Sequence, residues 1–177
     1  MKNIKTVLVV LVLVALVLLG AYLIFFQNKT TTPPIAPTNP NSPVDTSIIY
    51  NNTIYGFTFS LPSDWKGYSI MKNTWNGQPQ NNNTSAQTGP ELLIRNPNWT
   101  ATTHYEDIPI MVFTISQWNS YVAGNFATSA APFPAAELGR NNIYVFAIPP
   151  RWDYDYSQGF QEADTIVTSK PLHPFDL

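Results

Sequence analysis

The chain has 177 residues, of which 11% are charged and 14% aromatic, with 16 prolines and no cysteine. An average soluble protein carries roughly 25% charged residues, so this composition suits an exported bacterial protein better than a cytosolic enzyme. Lack of cysteine excludes disulfides, thiol nucleophiles, zinc–thiolate sites and the lipidated cysteine of a bacterial lipoprotein. Net charge is −2, and from Ile48 onward six basic residues stand against ten acidic ones. No Lys/Arg patch exists to displace counterions, which argues against a nucleic-acid partner.

Residues 1–5 carry Lys2 and Lys5 and form a short cytoplasmic N-terminus. From Thr6 to Phe26 no residue is charged and nearly all are apolar. As a helix this run is about 30 Å long, the thickness of a hydrocarbon core. A cleaved signal peptide has a shorter apolar region and small residues at its end. Here Gly20 is followed by Ala21-Tyr22-Leu23-Ile24-Phe25-Phe26, so the segment is expected to remain as a transmembrane anchor. Lysines precede it and only Lys29 closely follows, which places the rest of the chain outside the cell membrane.

Residues 27–47 are rich in Pro, Thr and Asn with almost nothing to bury, and read as a disordered, semi-stiff linker. Extended, it spans about 60 Å. The folded domain is expected over residues 48–177, long enough to bury a core without staples.

Within the domain, Ile48-Ile49-Tyr50 is a short strand ended by Asn51-Asn52. Phe57 to Leu61 alternates apolar and polar, the pattern of a half-buried strand. Pro62 stops it and Ser63-Asp64-Trp65 makes a tight turn. Gly67 to Met71 alternates again. Residues 72–90 are polar and broken by Gly and Pro, and read as a long loop. Glu91 to Arg95 is a strand, and Ile108 to Thr114 is the most apolar run, expected as the central strand. Ser116 is the expected N-cap of a short helix closed by Gly124-Asn125. Ile143 to Ile148 is a further strand. A terminal helix over residues 156–169 has an apolar face of Phe160, Ala163, Ile166 and Val167, with Asp155 or Ser157 as N-cap and Lys170-Pro171 as its stop. Antiparallel strands with one or two helices make an α+β domain.

Tyr55-Gly56-Phe57-Thr58-Phe59-Ser60-Leu61-Pro62-Ser63-Asp64-Trp65 resembles the opening of PsbP-like domains, a Y-G-F-x-F-x-x-P-x-x-W strand and turn. The closing strand and helix resemble that family too, and the layout is most like its membrane-anchored bacterial members. The resemblance implies an antiparallel sheet flanked by helices, an α/β/α sandwich, and a binding or assembly role rather than catalysis. No residues match a photosystem-binding basic set, so that role is not carried over.

No phosphate loop, nucleophile elbow, paired-histidine site or calcium loop is present, and no motif implies a cofactor. His104-Tyr105-Glu106-Asp107 holds three metal-capable side chains but reads as a solvated loop. Asp153 and Asp155 read as a polar turn before the terminal helix. Trp75, Trp99 and Trp152, with Trp118, sit in or beside expected loops or helix starts and are the candidate ligand-binding residues, for stacking on cell-wall glycan. Packing over the sheet edges is their competing role. The sequence points first to a membrane-tethered, non-catalytic module contacting another envelope protein. A glycan-binding module comes second. An exported hydrolase comes third and requires a pocket joining His104 to an acid and a serine.

Overall fold

The apolar run Ile108–Thr114 is the strand around which the domain is built, and it is buried on both of its faces. Ile108, Ile110 and Val112 point into one hydrophobic cluster, while Met111 and Phe113 point into another. Side chains alternate across a strand, so a continuous apolar run requires cover on both sides.

This computed structural model describes residues 47–82 and 85–177. The expected anchor at 6–26 and the linker before Ser47 lie outside the described residues. Among the described residues, no helix is long and apolar enough to cross a membrane.

In chain order the elements are β1 (Ile48–Asn52), β2 (Phe57–Leu61), a single 3-10 turn (Ser63–Trp65), β3 (Ser69–Pro79), β4 (Gln87–Arg95), β5 (Ile108–Thr114), α1 (Ile115–Val122), β6 (Phe126–Ala127), β7 (Ala136–Arg140), β8 (Tyr144–Ile148), α2 (Phe160–Thr168) and β9 (Leu172–Pro174). Six strands form one sheet in the order β6-β3-β4-β5-β8-β7, and three form another in the order β1-β2-β9. All pairings between these strands are antiparallel. The domain is therefore α+β, with antiparallel sheets and two helices.

One face of the larger sheet packs against β2, β9 and α2 through Phe57, Phe59, Leu61, Phe146, Ala163 and Leu172. Its other face packs against α1 through Trp118 and Tyr121. Each fully buried Phe or Leu stabilises the fold by roughly 1.5–3 kcal/mol. Trp65 closes the turn after β2, and its indole N–H donates to Glu162 Oε1 on α2 at 2.8 Å. Asn141 ties the two sheets together. Its amide donates to the carbonyls of Tyr55, Gly56 and Phe175, and its Oδ1 accepts from the backbone N–H groups of Ile143 and Tyr144.

Several expectations need correction. Residues 72–90 are mostly not a loop. They form the greater part of a hairpin whose register runs from Ser69 opposite Arg95 to Gly77 opposite Gln87. The two glycines that suggested a loop make room for rings. A β-carbon at Gly77 would meet Phe126 at 2.4 Å, and one at Gly89 would meet Trp75 at 2.5 Å. Pro90 is tolerated because β4 pairs with β5 only from Glu91 onward, leaving the edge at Pro90 free.

Helix α1 is capped by Thr114, not Ser116. Thr114 Oγ1 accepts from the Gln117 N–H at 3.2 Å, while the Gln117 side chain accepts from the Thr114 N–H at 3.0 Å. This reciprocal capping box satisfies two otherwise orphaned donors. Helix α2 starts at Phe160, after Gly159 in the left-handed region (φ 84°), rather than after Asp155 or Ser157. Strands β6, β7 and β9 were not expected. β6 and β9 have two and three residues, too few for alternation to stand out, and β7 has five but buries none of them fully and is broken by an irregularity between Glu137 and Gly139.

Candidate functional site

The candidate tryptophans do not form one platform. Trp75 lies in β3, only 4% exposed. Its ring stacks on Phe113 at 4.4 Å and on Phe126 at 6.0 Å, and its N–H donates to the Val112 carbonyl at 2.9 Å. It is a core residue. Trp118 is likewise buried, in the cluster beneath α1.

Trp99 is half-buried and engaged by its own loop. His104 stacks on it at 5.2 Å, and the Arg95 guanidinium lies 4.0 Å from its ring centroid. Arg95 in turn pairs with Asp107 at 3.1 Å. His104 is exposed, so the deep pocket required by a hydrolase does not form around it. Among the described residues, no group of three or more metal-capable side chains is placed to hold an ion.

Trp152 is placed differently from Trp75 and Trp99. It packs partly against the first cluster and lines a groove of about 260 Å³ with Phe133, Pro134, Pro150, Arg151 and Tyr154. The groove lies between the loop after β6 and the loop from β8 to α2. Phe133, Tyr154 and Tyr156 are 49%, 60% and 66% exposed, among the most exposed large apolar side chains of the domain. Arg151 bridges the groove, with its guanidinium carbon 5.6 Å from the Phe133 ring and 5.0 Å from the Tyr154 ring. The Tyr154 and Tyr156 rings lie 6.3 Å apart, and Tyr156 meets Phe160 edge-on at 4.9 Å.

The backbone of this loop is strained. Arg151 (φ 57°) and Tyr156 (φ 49°) both occupy the left-handed region. Such conformations cost a bulky residue on the order of 1 kcal/mol or more. Pro149 and Pro150 fix the start of the loop, and two turns follow, Tyr154 N–H to Arg151 O and Tyr156 N–H to Asp153 O. Tyr105 fastens its far end by a bridge to Gln158, whose side chain donates to the Tyr105 hydroxyl at 2.7 Å. Strain held in place by packing and hydrogen bonds concentrates at functional positions.

Glu106 lies under the same loop, 9% exposed, with its Oε2 unpartnered. Burial pushes its carboxyl above the ordinary range; Asp153, Asp107 and Asp155 add to the rise, and a hydrogen bond with Ser157 opposes it. Sequence reasoning singled out Trp152 in this loop but not Phe133, Tyr154 and Tyr156 beside it. The available signal was Trp152-Asp153-Tyr154-Asp155-Tyr156, where rings and acids alternate after two prolines without continuing any sheet.

No family profile, curated protein or solved structure matches this chain. Fold and surface together define it as an α+β domain of antiparallel sheets and two helices that presents a strained aromatic loop.

Proposed function

We propose that this chain is a membrane-tethered, extracytoplasmic, non-catalytic binding module that contacts another envelope protein through the Phe133–Arg151–Tyr154–Tyr156 surface. One observation supports the reading: Tyr154 and Tyr156 stand exposed on a loop that holds Arg151 and Tyr156 in the left-handed region, with exposed Phe133 facing Tyr154 from a neighbouring loop. Contiguous exposed aromatics mark interaction surfaces, and Tyr, Trp and Arg dominate the energetic centres of protein interfaces. The uncharged run at residues 6–26 supports the tether, and the flanking lysines support an outward-facing domain. The PsbP-like assignment is part of this proposal. Burial of Phe57, Phe59 and Trp65 agrees with a structural role for the motif that carries it.

The glycan reading loses Trp75 to the core and is left mainly with Trp152. Photo-crosslinking separates the two readings. A photoreactive phenylalanine analogue at Tyr154 of the full chain, in its native membrane, should yield one protein adduct. That adduct should be lost on adding Phe133→Ala and Tyr156→Ala. The same probe at exposed Lys66 is the control. An adduct that is absent, unaffected by those changes, or equally strong at Lys66 overturns the proposal.

A further inference from the structure

We propose that the groove between Phe133 and Tyr154 binds a proline-rich strand in polyproline II form, and that a second copy of this chain supplies it through residues 34–43. This rests on the reading of the same surface as a protein-binding site and replaces the different envelope protein with a second copy of this chain, so the Tyr154 adduct is then a self-adduct. The groove walls are rings and prolines, namely Phe133, Pro134, Pro150, Trp152 and Tyr154. Aromatic-lined grooves suit a polyproline II ligand, which brings its own stiffness and loses little entropy on docking.

The chain carries such a ligand. Pro34, Pro37, Pro40 and Pro43 recur at every third position. Polyproline II has three residues per turn and a rise of about 3.1 Å per residue, so docking in that form would set prolines at this sequence spacing on one edge, about 9 Å apart. Between them stand Ile35, Ala36, Thr38, Asn39, Asn41 and Ser42, all uncharged. The segment can therefore enter the groove without burying a charge beside Arg151 or Asp153. Every copy presents both groove and strand, so contact between copies is head-to-tail: the groove of one takes the strand of the next.

The test is complementation between full-length chains in membrane nanodiscs. One variant, Tyr154→Ala, keeps the strand and loses the groove wall. The other, Pro37→Ser with Pro40→Ser, keeps the groove and breaks the three-residue spacing. Resonance energy transfer between labelled copies should fall about tenfold in apparent affinity for each variant alone, corresponding to the loss of one good contact. Mixing the two variants should restore transfer, because an intact strand then meets an intact groove. Undiminished transfer in either single variant, or no recovery on mixing, overturns the proposal. If complementation fails while the Tyr154 crosslink to a different protein persists, this inference falls and the proposed function stands. If both fail, the surface is not a binding site.

Discussion

Gly89 sits directly opposite Trp75 on the neighbouring strand, and the indole covers it so closely that a β-carbon there would lie 2.5 Å from the ring. The glycine is what allows the ring to lie flat over the sheet and reach the Val112 carbonyl. Gly89→Ala should force the indole off this position and destabilise the domain by about 1–3 kcal/mol, the range for overpacking a filled core. Urea unfolding monitored by tryptophan fluorescence would measure it. An unchanged midpoint would mean that the ring has somewhere else to go.

Asn141→Ala removes three donated and two accepted hydrogen bonds at the junction of the two sheets. It takes this partner from the Tyr55 and Phe175 carbonyls and from the Ile143 and Tyr144 N–H groups, while the Gly56 carbonyl keeps the Phe175 N–H, and the expected loss is about 1–3 kcal/mol. Asn141→Asp keeps the acceptor but sets a carboxylate against three carbonyl oxygens, so near neutral pH it should be at least as destabilising as Ala. Guanidinium unfolding of the three proteins tests this order. Equal stability of Asp and wild type would remove the amide from the account.

The raised Glu106 carboxyl sets a pH dependence with a definite sign. In the folded state the group holds its proton above the ordinary value of 4.5. The folded state therefore binds more protons than the unfolded chain in that window, and stability falls as pH rises from the ordinary value through the raised one. Glu106→Gln should melt higher than wild type at pH 7, with the gap narrowing as pH drops toward and below 4.5. A gap that stays constant across pH would show that charge is not its cause.

Tyr156 sits at φ 49°, where glycine carries no penalty and tyrosine does. Tyr156→Gly relieves about 1–2 kcal/mol of strain but adds about 0.4–1 kcal/mol of unfolded-state entropy and loses the Phe160 edge contact, so stability should stay within about 0.5 kcal/mol of wild type while the Tyr154 crosslink weakens. Tyr154→Ala, on an exposed side chain at ordinary φ, should change stability by less than about 0.5 kcal/mol. Thermal melts paired with the crosslinking readout distinguish these effects. A destabilised Tyr156→Gly would mean that the ring contributes packing that outweighs its strain.

Strands β2 and β5 were legible to the residue because their hydrophobic patterns are strong and local, alternating in one and continuous in the other. The β3–β4 hairpin was not, since its inward positions include Gly77 and Gly89. Glycine reads as loop until one knows that a ring from elsewhere lies over it. Trp75 was misplaced for the same reason. Its partners Phe113 and Phe126 come from other strands, and nothing near position 75 announces them. The cap at Thr114 was missed although Thr114-Ile115-Ser116-Gln117 spells a capping box, because Ser116 offered a competing start. Of the proposed binding surface, the loop holding Trp152 was singled out and the rest was not. Ring exposure depends on the Phe133 loop meeting it across the groove, which no local pattern encodes.

The pairing of β2 with β9 bears on how the domain assembles. Phe59 is matched to Leu172, so a strand near the beginning of the domain waits for one near its end before the smaller sheet exists. Contacts this distant along the chain place the fold among slow-folding topologies, because loop-closure entropy is met before burial compensates it. Until β9 arrives, Phe57 and Phe59 lack part of their cover, and the partly assembled chain presents a sticky edge to its neighbours. Chaperone capture of the incomplete chain would therefore act on this early hairpin rather than on the finished surface.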